Sequence, residues 1–246
     1  MKPLVRIWPV MVVAIVVSYF FIDRSLCSFI YDHSLPQQIC ALFQIHHWPP
    51  VQADQGDLER HQLNLFVQLV EWPPILTGLA PFLLLATPFL KSSRFRTLLI
   101  LMSVSILFTF GLKNELKWIF SRDWPLTWTH NNPSWIGNHA YGFLWFQGKL
   151  FQGTDATGSF PSGHTAIAFA SFLPIGLIYR RLLPFCIALA IFEGLCMVVM
   201  DYHFFSDIIA GALVGTTCTL LVKSTILPSD LSADALDSPD SSPGEN

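Results

Sequence analysis

Charge is scarce in this chain. Of its 246 residues only 13% are Asp, Glu, Lys or Arg, about half the share of an ordinary soluble domain. Neither sign dominates: 14 Lys+Arg against 17 Asp+Glu give a net charge of −3. That balance excludes the basic footprint of a nucleic-acid-binding protein. Cysteine is sparse as well, at five residues, and no internal repeat is present. Abundance lies elsewhere, in 52% hydrophobic residues and a mean hydropathy of +0.48. Such a composition excludes disorder of the whole chain. A soluble protein of this length needs more charge to cover its surface, whereas lipid accepts apolar surface.

A helix rises about 1.5 Å per residue and a bilayer core is about 30 Å thick, so some 20 apolar residues suffice to cross. The run 4–22 meets that need, and 72–90, 97–117, 165–179, 182–200 and 204–222 are the other candidates, six in all. The first could be read as a signal peptide. No small-residue cleavage site follows it, only Asp23-Arg24-Ser25-Leu26, so it reads as an anchor. Pro73, Pro74, Pro81 and Pro88 make the second run irregular. The expected fold is all-α, a bundle of six transmembrane helices over residues 1–227. Residues 228–246, acidic and rich in Ser and Pro, read as a solvated tail.

Lys2, Arg6, Lys91, Arg94, Arg96, Arg180, Arg181 and Lys223 all fall on one side of such a bundle. The positive-inside rule makes that side, and both termini, cytoplasmic. The other side then faces the exterior, which is the periplasm in a bacterial inner membrane. Cys186, Cys196 and Cys218 lie within spans and read as small apolar packing residues. Cys27 and Cys40 share the first external loop, where a disulfide and two free thiols are both open readings. His33, His46 and His47 sit in the same loop, but no spaced acid or Cys completes a metal site there.

Three polar clusters stand at the external helix ends: Lys117 to Pro125, Phe160 to Thr165, and Asp201 to Asp207. Each has a bland reading. Ser162 occupies an N-cap position, and Ser-Gly-His alone could be a capped helix with a surface His. Its N–H groups and dipole would also suit an anion, and Gly163 would let a ligand come close. His203 and Asp207 share a helix face, either as a capping carboxylate beside an interfacial His or as an acid that orients an imidazole. An acid at membrane depth is costly and marks a functional candidate. Lys117 and Arg122 could be snorkelling side chains, or the point charge and the fork that hold a phosphate. Lys113 faces the same way but deeper. It could pair with Glu115 or Asp207, or line a cavity, and has a secondary role at most. Asp201, an extra carboxylate near a phosphate, is expected to pair with Arg122. Five of the eight tryptophans fall between Trp118 and Trp145. They suit interfacial anchoring, with a platform for a lipid tail or sugar as the alternative.

Taken together, these clusters supply an anion-binding helix end, two histidines, an orienting acid and two cations. That set suits phosphoryl transfer through a phospho-histidine, with fixed cations and backbone dipoles stabilising the transferring group. It calls for no metal and no cofactor.

Pro161-Ser162-Gly163-His164, His203-x3-Asp207 and Lys117-x6-Trp124-Pro125 stand in this order. The combination resembles the type 2 phosphatidic acid phosphatase superfamily, which also includes vanadium haloperoxidases. That family carries Lys-x6-Arg-Pro, then Pro-Ser-Gly-His, then Ser-Arg-x5-His-x3-Asp. Two departures stand out. Trp124 occupies the Arg position of the first motif, and Met197, after Cys196, that of the third. Arg122, two residues away, is the candidate replacement for one. Pro125-Leu-Thr-Trp128 and Asn131-Asn132-Pro133-Ser134 look like a bacterial branch whose first motif runs through Trp-Pro into a Trp- and Asn-rich loop.

The resemblance implies roles. His203 would attack phosphorus, held by Asp207. His164 would protonate the leaving oxygen and then activate water. Lys117, Arg122, Ser162 and Gly163 would hold the phosphoryl oxygens, and His130, His139, Tyr202 and Asp201 would shape the site. The expected protein is a membrane lipid phosphatase, metal-independent, acting on the external leaflet. Its substrate classes are undecaprenyl pyrophosphate, phosphatidylglycerol phosphate, phosphatidic acid or the phosphates of lipid A. A lipid phosphotransferase with the same intermediate is one rival, and a lipid-binding protein without turnover is another. A haloperoxidase fits poorly, because those enzymes are soluble. Its partners are the lipid substrate and the bilayer, and no oligomeric state is implied.

Overall fold

The computed structural model describes residues 2–42, 65–126, 133–144 and 158–226. His46, His47, Trp128, His130, Asn131, Asn132, Trp145 and the tail 228–246 lie outside the described residues, as does the side chain of Cys40. Within them the protein is all-helical. Helix α1 (Lys2–Val17) passes through a π-turn, Ser18–Ile22, straight into α2 (Asp23–Asp32). Then follow α3 (Leu35–Leu42), α4 (Leu65–Ala86), α5 (Ser93–Phe120), α6 (Trp135–Asn138), α7 (Gly163–Ile178), α8 (Leu183–Val199) and α9 (Phe205–Ile226). Four stretches are long and apolar enough to cross a bilayer: Ile7–Asp32, Ser93–Phe120, Arg180–Val199 and Phe205–Ile226. Gly163–Ile178 and Ile75–Phe89 are shorter apolar helices.

The helix boundaries have local causes. Ser92 caps α5 by accepting from the Phe95 N–H, and Ser121 ends it in a left-handed conformation at φ 41°. Pro184 opens α8, where its missing N–H costs nothing. The first helix does not stop at Ile22. The π-turn inserts an extra residue there, as such turns commonly do at functional sites, and delivers Asp23 to the interior, 1% exposed.

The core is built on α7, packed between α5, α8 and α9. Gly211 and Gly215 put α9 almost against the α7 backbone. A Cβ on Gly211 would lie 2.5 Å from the Ser162 carbonyl, and one on Gly215 2.2 Å from the Ala166 carbonyl. This is the small-xxx-small spacing by which helices approach closely in lipid. It fixes the start of α7 beside the start of α9. Trp8 donates to the Thr217 hydroxyl at 3.1 Å and ties α1 onto the same helix. Large apolar side chains such as Phe21, Phe82, Leu85, Phe89, Phe185 and Phe192 face outward. Ser103, Ser105, Ser171, Asp207 and Thr219 are inside. That inversion suits a lipid surround.

Candidate active site

Three chain segments meet at one end of the bundle. The stretch after α5, residues 121–125, is pinned on both edges. Asp123 N–H bonds the Gly142 carbonyl at 3.0 Å and Trp124 N–H the Pro133 carbonyl at 3.1 Å, while Ser159 N–H bonds back to the Arg122 carbonyl at 3.0 Å. Backbone also joins the other two motifs, since Ser162 N–H donates to the Asp207 carbonyl at 3.0 Å. The sequence clusters at 117–125, 160–165 and 201–207 therefore form one locus.

Ser162 caps α7, its Oγ accepting from Thr165 N–H at 3.4 Å and meeting the Thr165 hydroxyl at 3.0 Å. The first-turn N–H groups of Gly163 and His164 have no carbonyl behind them in the helix and face outward with the positive end of the dipole. Gly163 and His164 are half-buried, so this helix end is open.

His203 is 2% exposed. Its Nδ1 stands 3.5 Å from Oδ2 of Asp207, close for a charge pair and long for a hydrogen bond. Oδ2 also accepts the Phe204 N–H at 3.0 Å. Burial pushes the imidazole down to about 4, against the opposing pull of Asp207. At neutral pH the ring is therefore uncharged, with a lone pair for attack. The Tyr202 ring lies edge-on to His164 at 5.7 Å and to His203 at 5.3 Å, so it joins the two histidines.

Lys117 is buried, and its Nζ donates to the carbonyls of Gly158 at 2.5 Å and Ser159 at 3.4 Å. The Nζ also sits 5.5 Å from the centre of the Trp124 ring, which meets Tyr202 edge-on at 5.4 Å and stacks on His203 at 5.6 Å. Trp124 thus fills the first motif's arginine position with an aromatic wall beside the imidazole. Met197, at the other arginine position, packs with Ile30, Val198 and Ile208. Its carbonyl accepts the N–H groups of Tyr202 at 2.9 Å and His203 at 3.1 Å.

Lys113 is closer to the site than its sequence position suggested. It bonds neither Glu115 nor Asp207. Its Nζ donates to Asn114 Oδ1 at 2.7 Å. A Cβ on Gly163 would lie 3.2 Å from its Cδ and 3.4 Å from its Nζ. Its charge acts on both Lys117 and His164. Lys113 and Lys117 thus both lie near the α7 terminus.

Arg122 is placed differently. It is 1% exposed. One terminal nitrogen donates to Oδ1 of Asp207 and, at 2.7 Å, to the Ser206 hydroxyl. The other donates to Oδ2 of Asp23 at 2.7 Å and to the Tyr141 oxygen at 3.0 Å. Burial opposes its charge, but Asp207 and Asp23 together outweigh that and hold it above its ordinary value. The expected pairing of Asp201 with Arg122 is not made. Arg122 takes Asp23 and Asp207 instead, and Asp201 meets the thiol of Cys27. Cys27 is a buried free thiol. Burial pushes Asp201 up to about 7, and the Cys27 contact lowers it only in part.

His139 is exposed, with its ring against Trp135, and no described contact brings it to His203. The Trp135 indole N–H holds the Ser28 hydroxyl at 2.9 Å. Of the tryptophans described in this stretch, Trp124 alone stacks on a candidate catalytic group. Asp23, Tyr141 and Ser206 escaped the sequence reading. For Asp23 one signal was present, an acid closing an apolar run. Among the described residues no group of three His, Cys, Asp or Glu could hold a metal ion.

The profile of the PAP2 superfamily matches residues 98–229, more than half of the chain. The chain belongs to the PAP2 superfamily. Lipid A 1-phosphatase of Rhizobium johnstonii is 39% identical over 83 residues, which cover 34% of this chain and 33% of the relative. Lipid A 1-phosphatase of Rhizobium etli is 39% identical over 83 residues, covering 34% and 35%. The aligned part thus spans about a third of each curated relative. No solved structure gives a significant match. The chain is thus a PAP2 member that carries four apolar helices long enough to cross a bilayer.

Proposed function

We propose that this PAP2 protein removes a phosphate from an amphiphilic lipid through a phospho-histidine at His203, without a metal, on the external face of a six-span bundle formed by residues 1–227. The neutral His203 attacks phosphorus through Nε2. A P–N bond forms, the P–O bond to the lipid breaks, and His164, protonated once the phosphate anion is bound beside it, gives that proton to the leaving oxygen. Water then attacks the phospho-histidine, His164 takes a proton from it, and inorganic phosphate leaves. Lys117, Lys113 and the N–H groups of Gly163 and His164 hold the phosphoryl oxygens, with Ser162 fixing the helix end. Asp207 orients and supports the His203 ring as it becomes charged.

The observation that carries this reading is the convergence of His203, His164, Lys117 and the capped α7 terminus, joined by the Ser162–Asp207 backbone bond of 3.0 Å. The basic residues at the opposite helix ends support a periplasmic site. The relatives make the 1-phosphate of lipid A the first substrate to try, ahead of undecaprenyl pyrophosphate, phosphatidylglycerol phosphate and phosphatidic acid.

The test is phosphate release from these four lipids by purified protein in detergent, with EDTA present. Release is expected to persist in EDTA and to fall at least about 10⁴-fold in His203→Ala. Release abolished by EDTA removes the metal-free mechanism, and an active His203→Ala removes the phospho-histidine. Turnover only when an acceptor lipid is added identifies a transferase instead.

A further inference from the structure

Arg122 is boxed in. The rings of Tyr19, Tyr141, Phe143 and Phe204 stand 5.0, 5.1, 5.3 and 4.3 Å from its guanidinium carbon. A guanidinium has five N–H donors. The four on its terminal nitrogens go to Asp207, Ser206, Asp23 and Tyr141, which leaves Nε as the one N–H without a partner. A phosphoryl group would find neither an open face nor a free fork.

The acidic side is equally built. Asp23 Oδ1 accepts the Ser206 N–H at 2.9 Å, and its Oδ2 accepts the Ser206 hydroxyl at 2.5 Å. Asp23 thus caps the first turn of α9 from another helix. Tyr141 donates to the Tyr19 carbonyl at 2.5 Å and lies 3.3 Å from Asp23 Oδ2, which fixes the loop 133–144 onto the same point. The two oxygens of Asp207 are divided: Oδ1 belongs to Arg122, and Oδ2 faces Phe204 N–H and His203. Rotation of that carboxylate would sacrifice a buried charged hydrogen bond.

We propose that Asp23 and Arg122 are positioning residues for Asp207, the guanidinium anchored on the first helix so that it locks the carboxylate in the orientation that presents Oδ2 to His203. The proposal rests on the phosphatase reading above. It assigns Arg122 to the protein's own carboxylates and leaves the phosphate to the lysines and α7. It also makes the first helix part of the site, because Asp23 lies outside residues 98–229 that match the family. One cation facing two carboxylates leaves one negative charge in excess. Asp23→Asn removes that excess and keeps a neutral Arg122–Asp207 pair, so it is the variant expected to fold. Arg122→Gln leaves two buried carboxylates facing each other, and its melting curve is the check on folding.

The experiment measures kcat and KM for wild type, Asp23→Asn, Arg122→Gln and the double variant. Each single change is expected to lower kcat by about a hundredfold, the scale of a misplaced catalytic group. KM is expected to stay within about threefold, and the double variant to be no worse than the worse single one. Wild-type kcat in folded Asp23→Asn overturns the proposal. So does a tenfold rise in KM with kcat kept, in either variant, which assigns Arg122 to substrate. A second readout needs no turnover: NMR titration of ¹⁵N-labelled histidine. The charged neighbours of His203 are Asp207, Lys117, Arg122 and His164. Arg122→Gln frees Asp207 for the imidazolium and raises the His203 midpoint, whereas Asp23→Asn does not raise it. An unmoved midpoint in Arg122→Gln overturns the clamp. Because this titration is independent of lipid hydrolysis, wild-type protein that is inert on every lipid counts against the phosphatase reading alone.

Discussion

The two helix ends that make the site are held in different ways. The start of α7 is held locally. Ser162 caps its own first turn through Thr165, three residues on, and the open N–H groups follow in sequence. The start of α9 is held from a distance. Asp207 takes Arg122, 85 residues away, and Ser206 takes Asp23, 183 residues away. A helix terminus needs only a short polar side chain at the right offset. A buried carboxylate needs a buried partner, and in a bundle that partner comes from another helix. The first end is therefore expected to tolerate change, and the second is not.

Arg122→Ala breaks the distant arrangement most severely. It leaves Asp23 and Asp207 buried without their cation, a loss of about 3–5 kcal/mol, seen as a large drop in melting temperature in detergent. A drop no larger than that of Ser162→Ala would erase the contrast between the two ends.

Next comes pH. With His203 pushed down to about 4, the ring stays neutral and able to attack well below neutrality. Its activity should hold from pH 7 to about 5 and fall as pH drops through about 4, since protonation removes the attacking lone pair. Asp201, pushed up to about 7, titrates separately, and Asp201→Asn is expected to leave that acid limb in place. An acid limb in wild type near the ordinary histidine value of about 6.5 would show that burial does not govern His203.

The local end gives smaller effects. Ser162→Ala removes one cap and costs about 1 kcal/mol by thermal unfolding, with His203 undisturbed. Gly163→Ala is smaller still. The added Cβ meets the flexible end of Lys113 at 3.2 Å, which can shift. KM should rise by about threefold, under 1 kcal/mol, and no change at all would place Lys113 away from the phosphate.

Much of this was legible in the residues. Apolar runs announced the helices, because crossing lipid demands an unbroken stretch. Ser162, Gly163, His164, His203 and Asp207 were legible because caps and i,i+4 pairs are short-range. The first helix was read as ending at Ile22, since Asp23 and Arg24 look like a return to water. A π-turn instead carries Asp23 inward, and no periodicity of the sequence records that. Arg122 was read from its proximity to Lys117, and its three-dimensional neighbours lie on other segments.

The sequence by itself determined the membrane-length apolar helices, the order of the motifs and the His203–Asp207 spacing. These follow from composition and from spacings within one or two helical turns. Tertiary structure alone decided that Lys113 reaches Gly163, that Trp124 lies against His203, and that Arg122 clasps Asp23 and Asp207. The reason is physical. Burying a charge is costly enough to demand a partner, but the partner's identity is set by which helices pack together. In this bundle that packing depends on Gly211 and Gly215, where the absence of a side chain lets α9 settle on α7.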